Sequence, residues 1–269
     1  MPLIVIPTPV GNLSDITIRG LEELRRADII ACEDTRHTGI LLKKYDISCK
    51  LISCHQHNEI ARADEIMSYL SQGKNVALVS DAGTPGVSDP GYQVIKRAIE
   101  DGFVVDVLPG PTAVIPAILM SGLDPQPFTF FGFLPDKKGE REQVLGNLKD
   151  SPWTTVFYVS PHKISRHIES MLEVFGDRKA ALVREISKIH QEALRGTFTE
   201  ILHKVEEGLK GEIVLVVEGS NRSDQGRDWE EQAQRLLEAG LSHRDIVSVL
   251  SDTMGVPKNR SKKWLLDRK

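Results

Sequence analysis

The 269-residue sequence predicts an α/β protein of two domains followed by a small helical tail. Short runs rich in Val and Ile alternate with segments whose apolar residues recur at helical spacing, and this alternation starts twice along the chain. A break with two prolines and a glycine at residues 122–127 separates the two series. The length also favours two domains, because a single hydrophobic core rarely grows beyond about 250–300 residues.

The first domain is predicted to span residues 1–122 and to contain a largely parallel sheet. Alternation of strands and helices favours right-handed crossovers between neighbouring parallel strands. The predicted strands are 3–6, 29–32, 51–53, 76–79 and 104–108. The predicted helices are 18–26, 38–45, 58–72, 91–101 and 112–121.

The second domain is predicted to span residues 127–219 and to contain a mixed sheet. Residues 180–184 and 192–197 are separated by too little chain for a helical crossover, so these two strands are expected to be antiparallel. The predicted strands are 128–134, 154–159, 180–184, 192–197 and 212–217, and the predicted helices are 141–149, 163–175 and 199–207.

The end of the chain is predicted to form a polar linker, 220–228, and a three-helix tail, 229–269, that resembles a helix-turn-helix unit. The predicted helices are 229–239, 243–253 and 258–266. The first helix is expected to stop at Gly240. The second is expected to have Ser242 as its N-cap and to stop at Gly255, and the third is expected to start at Pro257. From Gly255 onward six basic residues face one acidic residue, a local net charge of +5 in a chain of net charge −4.

The composition excludes several classes of protein. With 40% hydrophobic and 27% charged residues, the chain is neither fibrous nor wholly disordered. Three cysteines cannot form a disulfide framework, and their odd number indicates a reducing compartment. Without a signal-like N-terminus or a run of about 18 apolar residues, we expect a cytoplasmic protein that does not associate with membranes. The slight acidic excess disfavours nucleic-acid binding by bulk charge, although a local basic patch remains open.

Three loops follow predicted strands and precede predicted helices, where open α/β sheets bind ligands. Residues 7–13 match neither the phosphate-loop nor the dinucleotide glycine pattern, and a tight turn is an equal interpretation. Loop 80–91 holds three glycines, two prolines and two carboxylates, more than a turn needs, so we interpret it as functional. In loop 108–113, Thr112 is a candidate ligand contact or a helix cap.

Two further clusters contain side chains of the types used in catalysis or metal binding. Glu33, Asp34 and Arg36 end the second predicted strand. Such charges are costly to bury and are useful in a functional cleft. We therefore favour a cleft position for this cluster over a surface ion pair, which would contribute less than about 1 kcal/mol to stability. The second cluster comprises Cys49, Cys54, His55 and His57. Its spacing matches no common zinc site, so we predict no metal and interpret it as a buried thiol near a partly exposed histidine pair.

Taken together, these loops resemble the tetrapyrrole methylase superfamily. The matching segments, in order within residues 1–219, are 7–17, 33–36, 57–59, 80–91, 109–113 and 132–135. Within the superfamily the chain is most similar to the group that methylates small-subunit ribosomal RNA, whose helical tail it shares. It has Ser80-Asp-Ala82 where porphyrin and corrin relatives have Gly-Asp-Pro, and they lack the basic tail. Both departures argue against a tetrapyrrole substrate.

The resemblance implies two α/β/α domains with mostly parallel or mixed sheets, S-adenosylmethionine bound in the cleft between them, and a homodimer. It also implies 2′-O-methylation of a cytidine ribose in the decoding region of 16S ribosomal RNA, either free or in the assembled small subunit. The residues at positions where relatives contact the cofactor are Pro9, Asp81, Gly83, Thr84, Thr112, Ala113, Val159 and Ile186.

Methyl transfer from a sulfonium is an in-line displacement, so alignment supplies most of the rate, and a carboxylate that accepts the hydroxyl proton helps. The candidate bases are Glu33, Asp34 and Asp89, and the sequence does not choose among them. Arg36 is a candidate for holding a phosphate. The candidates for contacting RNA phosphates in the tail are Lys258, Arg260, Lys262 and Lys263. A helical cap or dimer contact is an equal interpretation of the tail.

Two other functions remain open at this point. One is a superfamily member that acts on a small molecule or a protein side chain. The other is a non-enzymatic regulator that binds nucleic acid through its tail. The second is disfavoured because about four fifths of the chain is predicted α/β structure with cleft-type loops.

Overall fold

The computed structural model describes residues 1–206, 208–220 and 222–266, and only the helical backbone of residues 222–228. Glu207, at the predicted end of helix 199–207, and Asp267, Arg268 and Lys269 of the basic end lie outside the described residues. The chain forms two compact units, one of residues 1–149 and 153–218 and the other of residues 150–152 and 219–269. Within the described residues, no helix is long and apolar enough to cross a membrane.

The first sheet is parallel throughout, as predicted, with strand order β3-β2-β4-β1-β5. Its strands are β1 (Leu3–Val5), β2 (Ile29–Cys32), β3 (Lys50–Ser53), β4 (Val76–Val79) and β5 (Val105–Val107). The helices that follow them are α1 (Ile18–Arg26), α2 (Thr35–Lys44), α3 (Glu59–Ser71), α4 (Tyr92–Glu100) and α5 (Val114–Ser121). Alternate residues of β2 and β4 belong to two separate apolar clusters, so both faces of this sheet are covered.

The second sheet is mixed, which confirms the prediction from the short connection after residue 184. Its order is β6-β7-β10-β8-β9, with β6 parallel to β7 and the other neighbours antiparallel. Its strands are β6 (Phe128–Phe133), β7 (Thr154–Val159), β8 (Lys179–Arg184), β9 (Glu192–Thr197) and β10 (Ile213–Val217). The helices in this part of the chain are α6 (Lys138–Leu148), α7 (Ile164–Phe175) and α8 (Phe198–Val205).

Helix α5 connects the two halves of the first unit. Although it follows the last strand of the first sheet, its buried Val114, Ala117 and Ile118 pack against Val156 and Val216 of the second sheet. The opposite face of the second sheet carries the larger apolar cluster, to which α6, α7 and α8 contribute. The two sheets therefore lie in one compact unit, and the predicted boundary at residues 122–127 falls between them.

The second unit contains the three tail helices, α9 (Arg222–Glu238), α10 (His243–Met254) and α11 (Lys258–Leu266). The predicted linker at 220–228 was wrong for residues 222–228, because α9 begins at Arg222 and not at residue 229. Asn221, in the same predicted linker, lies outside the described residues. A polar segment has no apolar face, so hydrophobic periodicity cannot reveal a helix there. Ser242 is the predicted N-cap and accepts a hydrogen bond from the Asp245 N–H, and Gly255 ends α10 in the left-handed region.

Candidate active site

A cavity of about 530 Å³ lies between the two sheets of the first unit. One side is formed by the loops that follow β1, β4 and β5, and the other by β6, β7, β10 and the loop after β8. The predicted cofactor residues that line it are Gly83, Thr84, Thr112, Ala113, Val159 and Ile186. Pro9 is buried behind the wall, and Asp81 does not line the cavity.

Two of the wall loops are joined by backbone hydrogen bonds. The N–H groups of Thr8 and Gly83 each donate to the other residue's carbonyl at 2.9 Å. The buried Thr8 hydroxyl also donates to the Ser80 carbonyl at 2.9 Å. Gly83 has a φ of +79°, a conformation that side-chain-bearing residues rarely adopt. This glycine therefore presents bare backbone to the cavity.

Asp89 is the candidate base that lines the cavity. Its carboxylate is half-buried, and among the described residues no hydrogen bond to it contributes to its pKa. Burial raises the pKa of Asp89 to about 6, and the charges of Asp81 and Glu212 add to the rise. A carboxylate with such a pKa is a stronger base than an ordinary one and is still ionised at neutral pH.

Asp34 has a structural role at the beginning of α2. It caps the helix by accepting a hydrogen bond from the Arg36 N–H at 2.8 Å, and it pairs with the Arg36 guanidinium at 2.6 Å. The hydrogen bond from the Arg36 side chain lowers the pKa of Asp34 to about 2. The Arg36 side chain is 90% exposed, so the alternative of a surface ion pair describes Asp34 and Arg36 better than a cleft.

Glu33 and Asp81 lie in the same acidic region but outside the cavity lining. Burial raises the pKa of Glu33, and the charges of Asp81, Asp89 and Asp34 raise it further. The Asp81 carboxylate accepts a hydrogen bond from the Asp34 N–H at 3.1 Å, which joins the loop after β2 to the loop after β4. Asp81 therefore has a role in connecting these two loops.

Thr112 is at the cavity wall, and its capping role is weak. The Val114 N–H donates to the Thr112 hydroxyl at 3.4 Å, which is long for this kind of bond. The N-cap position of α5 is occupied by Ala113, which has no polar side chain. Of the two interpretations of Thr112, a ligand contact therefore fits its position better than a helix cap.

Sequence reasoning missed several residues that line the cavity. They are Val10, Ser88, Phe130, Phe133, Tyr158 and Glu212. The signal for the aromatic ones was present, because Phe128-Thr-Phe-Phe-Gly-Phe133 is unusually rich in aromatic residues for a short strand. Burial raises the pKa of Tyr158 to about 12, with contributions from the charges of Asp89 and Glu212.

The cysteine and histidine cluster has the arrangement expected for a thiol near a histidine pair. Cys54 is buried, and the partly buried Cys49 donates from Sγ to the Ala27 carbonyl at 3.2 Å. The rings of His55 and His57 are 5.9 Å apart. Within the described part of the chain, no three His, Cys, Asp or Glu side chains are placed to hold a metal ion.

The second unit carries the basic candidates on α11. Lys258, Lys262 and Lys263 are exposed, and among the described residues none of them forms an ion pair. The Arg260 guanidinium lies over the Trp229 ring, 5.7 Å from its centroid. Three exposed lysines on one short helix form a local positive surface.

The fold and cavity define a class of protein: an α/β enzyme that binds its ligand at loops following parallel strands and has a partly buried carboxylate at the cavity wall. The family described as Tetrapyrrole (Corrin/Porphyrin) Methylases matches residues 2–202. The chain belongs to this family and is a methyltransferase, as the sequence predicted.

Curated relatives match nearly the whole chain. The chain is 38% identical over 264 residues to "Ribosomal RNA small subunit methyltransferase I" of Halalkalibacterium halodurans, with 95% of this chain and 91% of the relative covered. It is 39% identical over 265 residues to the protein of the same name in Bacillus subtilis strain 168, with the same coverage. The Streptococcus pyogenes serotype M3 protein of that name is 45% identical over 219 residues, covering 81% of this chain and 76% of its own.

Solved structures share the fold at low sequence identity. A uroporphyrin-III-C-methyltransferase from Thermus thermophilus matches with a TM-score of 0.60 and 19% identity, covering 81% of this chain and 94% of its own. A diphthine synthase matches with a TM-score of 0.61 and 14% identity, covering 81% of this chain and 90% of its own. These likenesses confirm the predicted two-sheet α/β fold.

Proposed function

We propose that this chain methylates a cytidine ribose 2′-hydroxyl in the decoding region of small-subunit ribosomal RNA, with S-adenosylmethionine as the methyl donor. Its relatives at 38–45% identity carry the name of a ribosomal RNA small subunit methyltransferase. The structural observation that carries the proposal is Asp89, a carboxylate at the wall of a cofactor-sized cavity with no hydrogen-bond partner in the described part of the chain. A hydroxyl acceptor needs such a group, because it must lose a proton when it is methylated.

The residues of the cavity fit S-adenosylmethionine. The volume of about 530 Å³ is in the range of small-molecule sites. The apolar side chains of Val159, Ile186 and Val214 suit an adenine ring, and the backbone at Gly83 can approach the ligand closely. The lining contains no Lys, Arg or His among the described residues, so no cationic side chain there repels a positively charged sulfonium.

S-adenosylmethionine, when bound, supplies a methyl group on a positively charged sulfonium that is already activated for displacement. Asp89 would accept the proton that the ribose hydroxyl loses when its oxygen receives the methyl group. The low-polarity walls hold the reacting groups away from bulk water, and the loops joined at Thr8 and Gly83 keep the cavity wall in place. Asp34 is not suited to accept this proton, because its ion pair with Arg36 keeps its pKa low.

The second unit is proposed to bind the RNA. Lys258, Lys262 and Lys263, with Arg260, would contact phosphates and release counterions. Arg36, exposed near the acidic region, would contact a phosphate only after leaving Asp34. We further propose a cytoplasmic homodimer whose substrate is free small-subunit RNA or the assembled subunit.

The proposal is tested with labelled S-adenosylmethionine and small ribosomal subunits from cells that lack this protein. Label is expected in a single cytidine of the RNA, located by mass mapping, and none in tetrapyrroles or protein offered in parallel. Label in a tetrapyrrole or a protein side chain instead of RNA would establish the alternative substrate class.

The assignment of the base is tested by three isosteric substitutions. Asp89→Asn should lower turnover by about 10²-fold to 10⁴-fold, the usual contribution of a general base. Glu33→Gln and Asp34→Asn serve as matched controls and should have much smaller effects. Cofactor affinity, measured by calorimetry for each variant, should stay within about threefold of the wild type. Full turnover in Asp89→Asn would show that the base is another group.

A further inference from the structure

Of the four aromatic side chains that line the cavity, three pack together: Phe130 and Phe133 on β6 and Tyr158 on β7. We call them the aromatic wall. The Tyr158 ring packs edge-to-face against both partners, with centroids 4.9 Å from Phe130 and 5.5 Å from Phe133. These contacts fix the orientation of each ring without a bound ligand.

A bulge in β6 places both phenylalanines on the cavity side. Side chains three positions apart in a regular strand point to opposite faces of the sheet. The register of β6 against β7 shifts between Phe130 and Gly132, and the extra residue restores Phe133 to the face of Phe130. Phe131 points to the other face, 5.8 Å from the Phe157 ring. Gly132 has a φ of +84°, which the bulge requires.

Phe133 is the exposed member of the aromatic wall. It is 54% exposed, whereas Phe130 and Tyr158 are partly buried. Its strand, β6, is at the edge of the second sheet. A fixed and exposed aromatic ring at the entrance of a cavity is a surface on which another flat ring can stack.

The aromatic wall is next to the loop that carries Asp89. A side-chain carbon at Gly132 would be 3.5 Å from the Ser88 hydroxyl, so the bulge lies against the residue before Asp89. The Asp89 charge also contributes to the raised pKa of Tyr158. A ligand that stacks on the cavity side of Phe133 would therefore share the cavity with the Asp89 carboxylate.

The charge of the cavity indicates which part of an RNA would occupy it. None of the described lining residues is Lys, Arg or His, so a phosphate would find no positive partner there. A nucleobase is flat and uncharged, and single-stranded RNA offers bases that can stack on aromatic side chains. The ribose of the same nucleotide would follow the base towards Asp89.

We infer that Phe133, held in place by Tyr158, is the stacking surface for the base of the nucleotide whose ribose faces Asp89. This inference rests on the proposed function, because it takes RNA as the substrate. It adds a base-binding subsite that is separate from the cofactor residues and from the basic surface of α11.

The test uses Phe133→Ala, Phe133→Leu and Phe133→Trp in the full chain, with small subunits as substrate and saturating cofactor. Loss of one stacked base costs about 1–3 kcal/mol, so Phe133→Ala should lower kcat/KM by about 5-fold to 150-fold. Phe133→Leu keeps an apolar side chain without an aromatic face and should also be impaired. Phe133→Trp should retain most of the activity.

Phe131→Ala is the matched control, because it removes a partly exposed ring from the same strand on the opposite face. Its kcat/KM should remain within about twofold of the wild type once folding has been checked by thermal unfolding. Cofactor affinity, measured by calorimetry without RNA, should be unchanged in the three Phe133 variants.

Three results would overturn the inference, and they are distinguishable. Unchanged kcat/KM in Phe133→Ala and Phe133→Leu, with an active wild type, removes the subsite and leaves the proposed function intact. Weakened cofactor affinity with an unchanged KM for the subunit assigns the ring to the adenine of the cofactor. A wild type that methylates no small-subunit RNA removes the proposed function and the subsite together.

Discussion

The carboxylate of Glu59, at the beginning of α3, accepts a hydrogen bond of 2.8 Å from the backbone N–H of Gly91. The same oxygen accepts a second bond, of 2.7 Å, from the Gln93 N–H. Helix α4 has a glycine at its N-cap and no capping side chain of its own, so the buried Glu59 supplies the missing acceptor. It thereby anchors the loop that ends two residues after Asp89.

Removal of this acceptor is expected to destabilise the protein. Glu59→Ala leaves two N–H groups without partners and should lower the free energy of unfolding by about 1–3 kcal/mol, with a reduced rate of methyl transfer. Urea unfolding and a methyl-transfer assay measure the two effects. Asp64→Ala is the control, because Asp64 is on the same helix but exposed, and it should cost less than about 0.5 kcal/mol. Equal stability of the two variants would show that Glu59 does not anchor the loop.

The rate of methyl transfer should depend on the ionisation of Asp89. The base must be deprotonated, so kcat/KM should rise with pH through about 6, where burial places the pKa of Asp89. An unperturbed carboxylate would place this rise near pH 4. The profile is measured between pH 5 and 8 at subsaturating RNA. A flat profile across this range would contradict the assignment.

Asp89→Asn should stabilise the fold at neutral pH although it lowers turnover. The pKa of Asp89 is raised on folding, so its favourable contribution to stability is present at low pH and is lost as the pH rises through about 6. Replacing the charge should therefore increase the free energy of unfolding at pH 7 by about 1–2 kcal/mol, a value reduced for partial exposure. Urea unfolding at several pH values should show the gain shrinking towards pH 4. A loss of stability at pH 7 would mean that the ionised carboxylate has a partner.

Gly11 permits a close approach between loops from the two halves of the first unit. A methyl group at Gly11 would overlap the carbonyl oxygen of Ile186, which lines the cavity. Gly11→Ala should therefore weaken cofactor binding by about tenfold or more, as measured by calorimetry. Gly39→Ala is the control, because Gly39 is in α2 with open space around it, and alanine there should stabilise the helix by up to about 1 kcal/mol. Normal cofactor affinity in Gly11→Ala would show that the loops can separate without damage to the site.

Replacement of Lys258, Lys262 and Lys263 by Ala should weaken RNA binding and leave cofactor binding unchanged. Each lost phosphate contact should make the negative slope of log K against log salt concentration shallower by about 0.7–0.9. The slope of the triple variant should therefore be shallower by about 2–3. Filter binding at several salt concentrations measures the slope. Lys96→Ala, on α4 where Lys96 is near Glu100, is the control. An unchanged slope in the triple variant, or after removal of residues 220–269, would exclude the tail as the RNA contact.

Much of the secondary structure follows from the local sequence. Strands β2, β4, β7 and β9 and helices α1 and α11 have the predicted boundaries. Apolar periodicity and capping residues act over a few positions, so they can be interpreted from a short segment. Helix α9 was predicted only from residue 229, and residues 222–228 were missed because these first two turns are polar.

The candidate site was predicted as loops but not as an arrangement. Both Asp34 and Asp89 follow predicted strands, and local sequence does not show that one is ion-paired and the other lines the cavity. Phe133 was missed because its orientation depends on a bulge in β6, which is apparent only from the pairing of β6 with β7. These features come from contacts between distant parts of the chain.

The sequence by itself determined the α/β class, the parallel and mixed sheets and the loops that surround the cavity. Only the tertiary structure decided that α5 packs on the second sheet, that Asp89 lines the cavity, and that Phe133 lines the same cavity. The physical reason is the range of the interactions. Backbone conformation depends mainly on residues that are adjacent in sequence. The burial and ionisation of a side chain depend instead on distant residues that the fold places next to it.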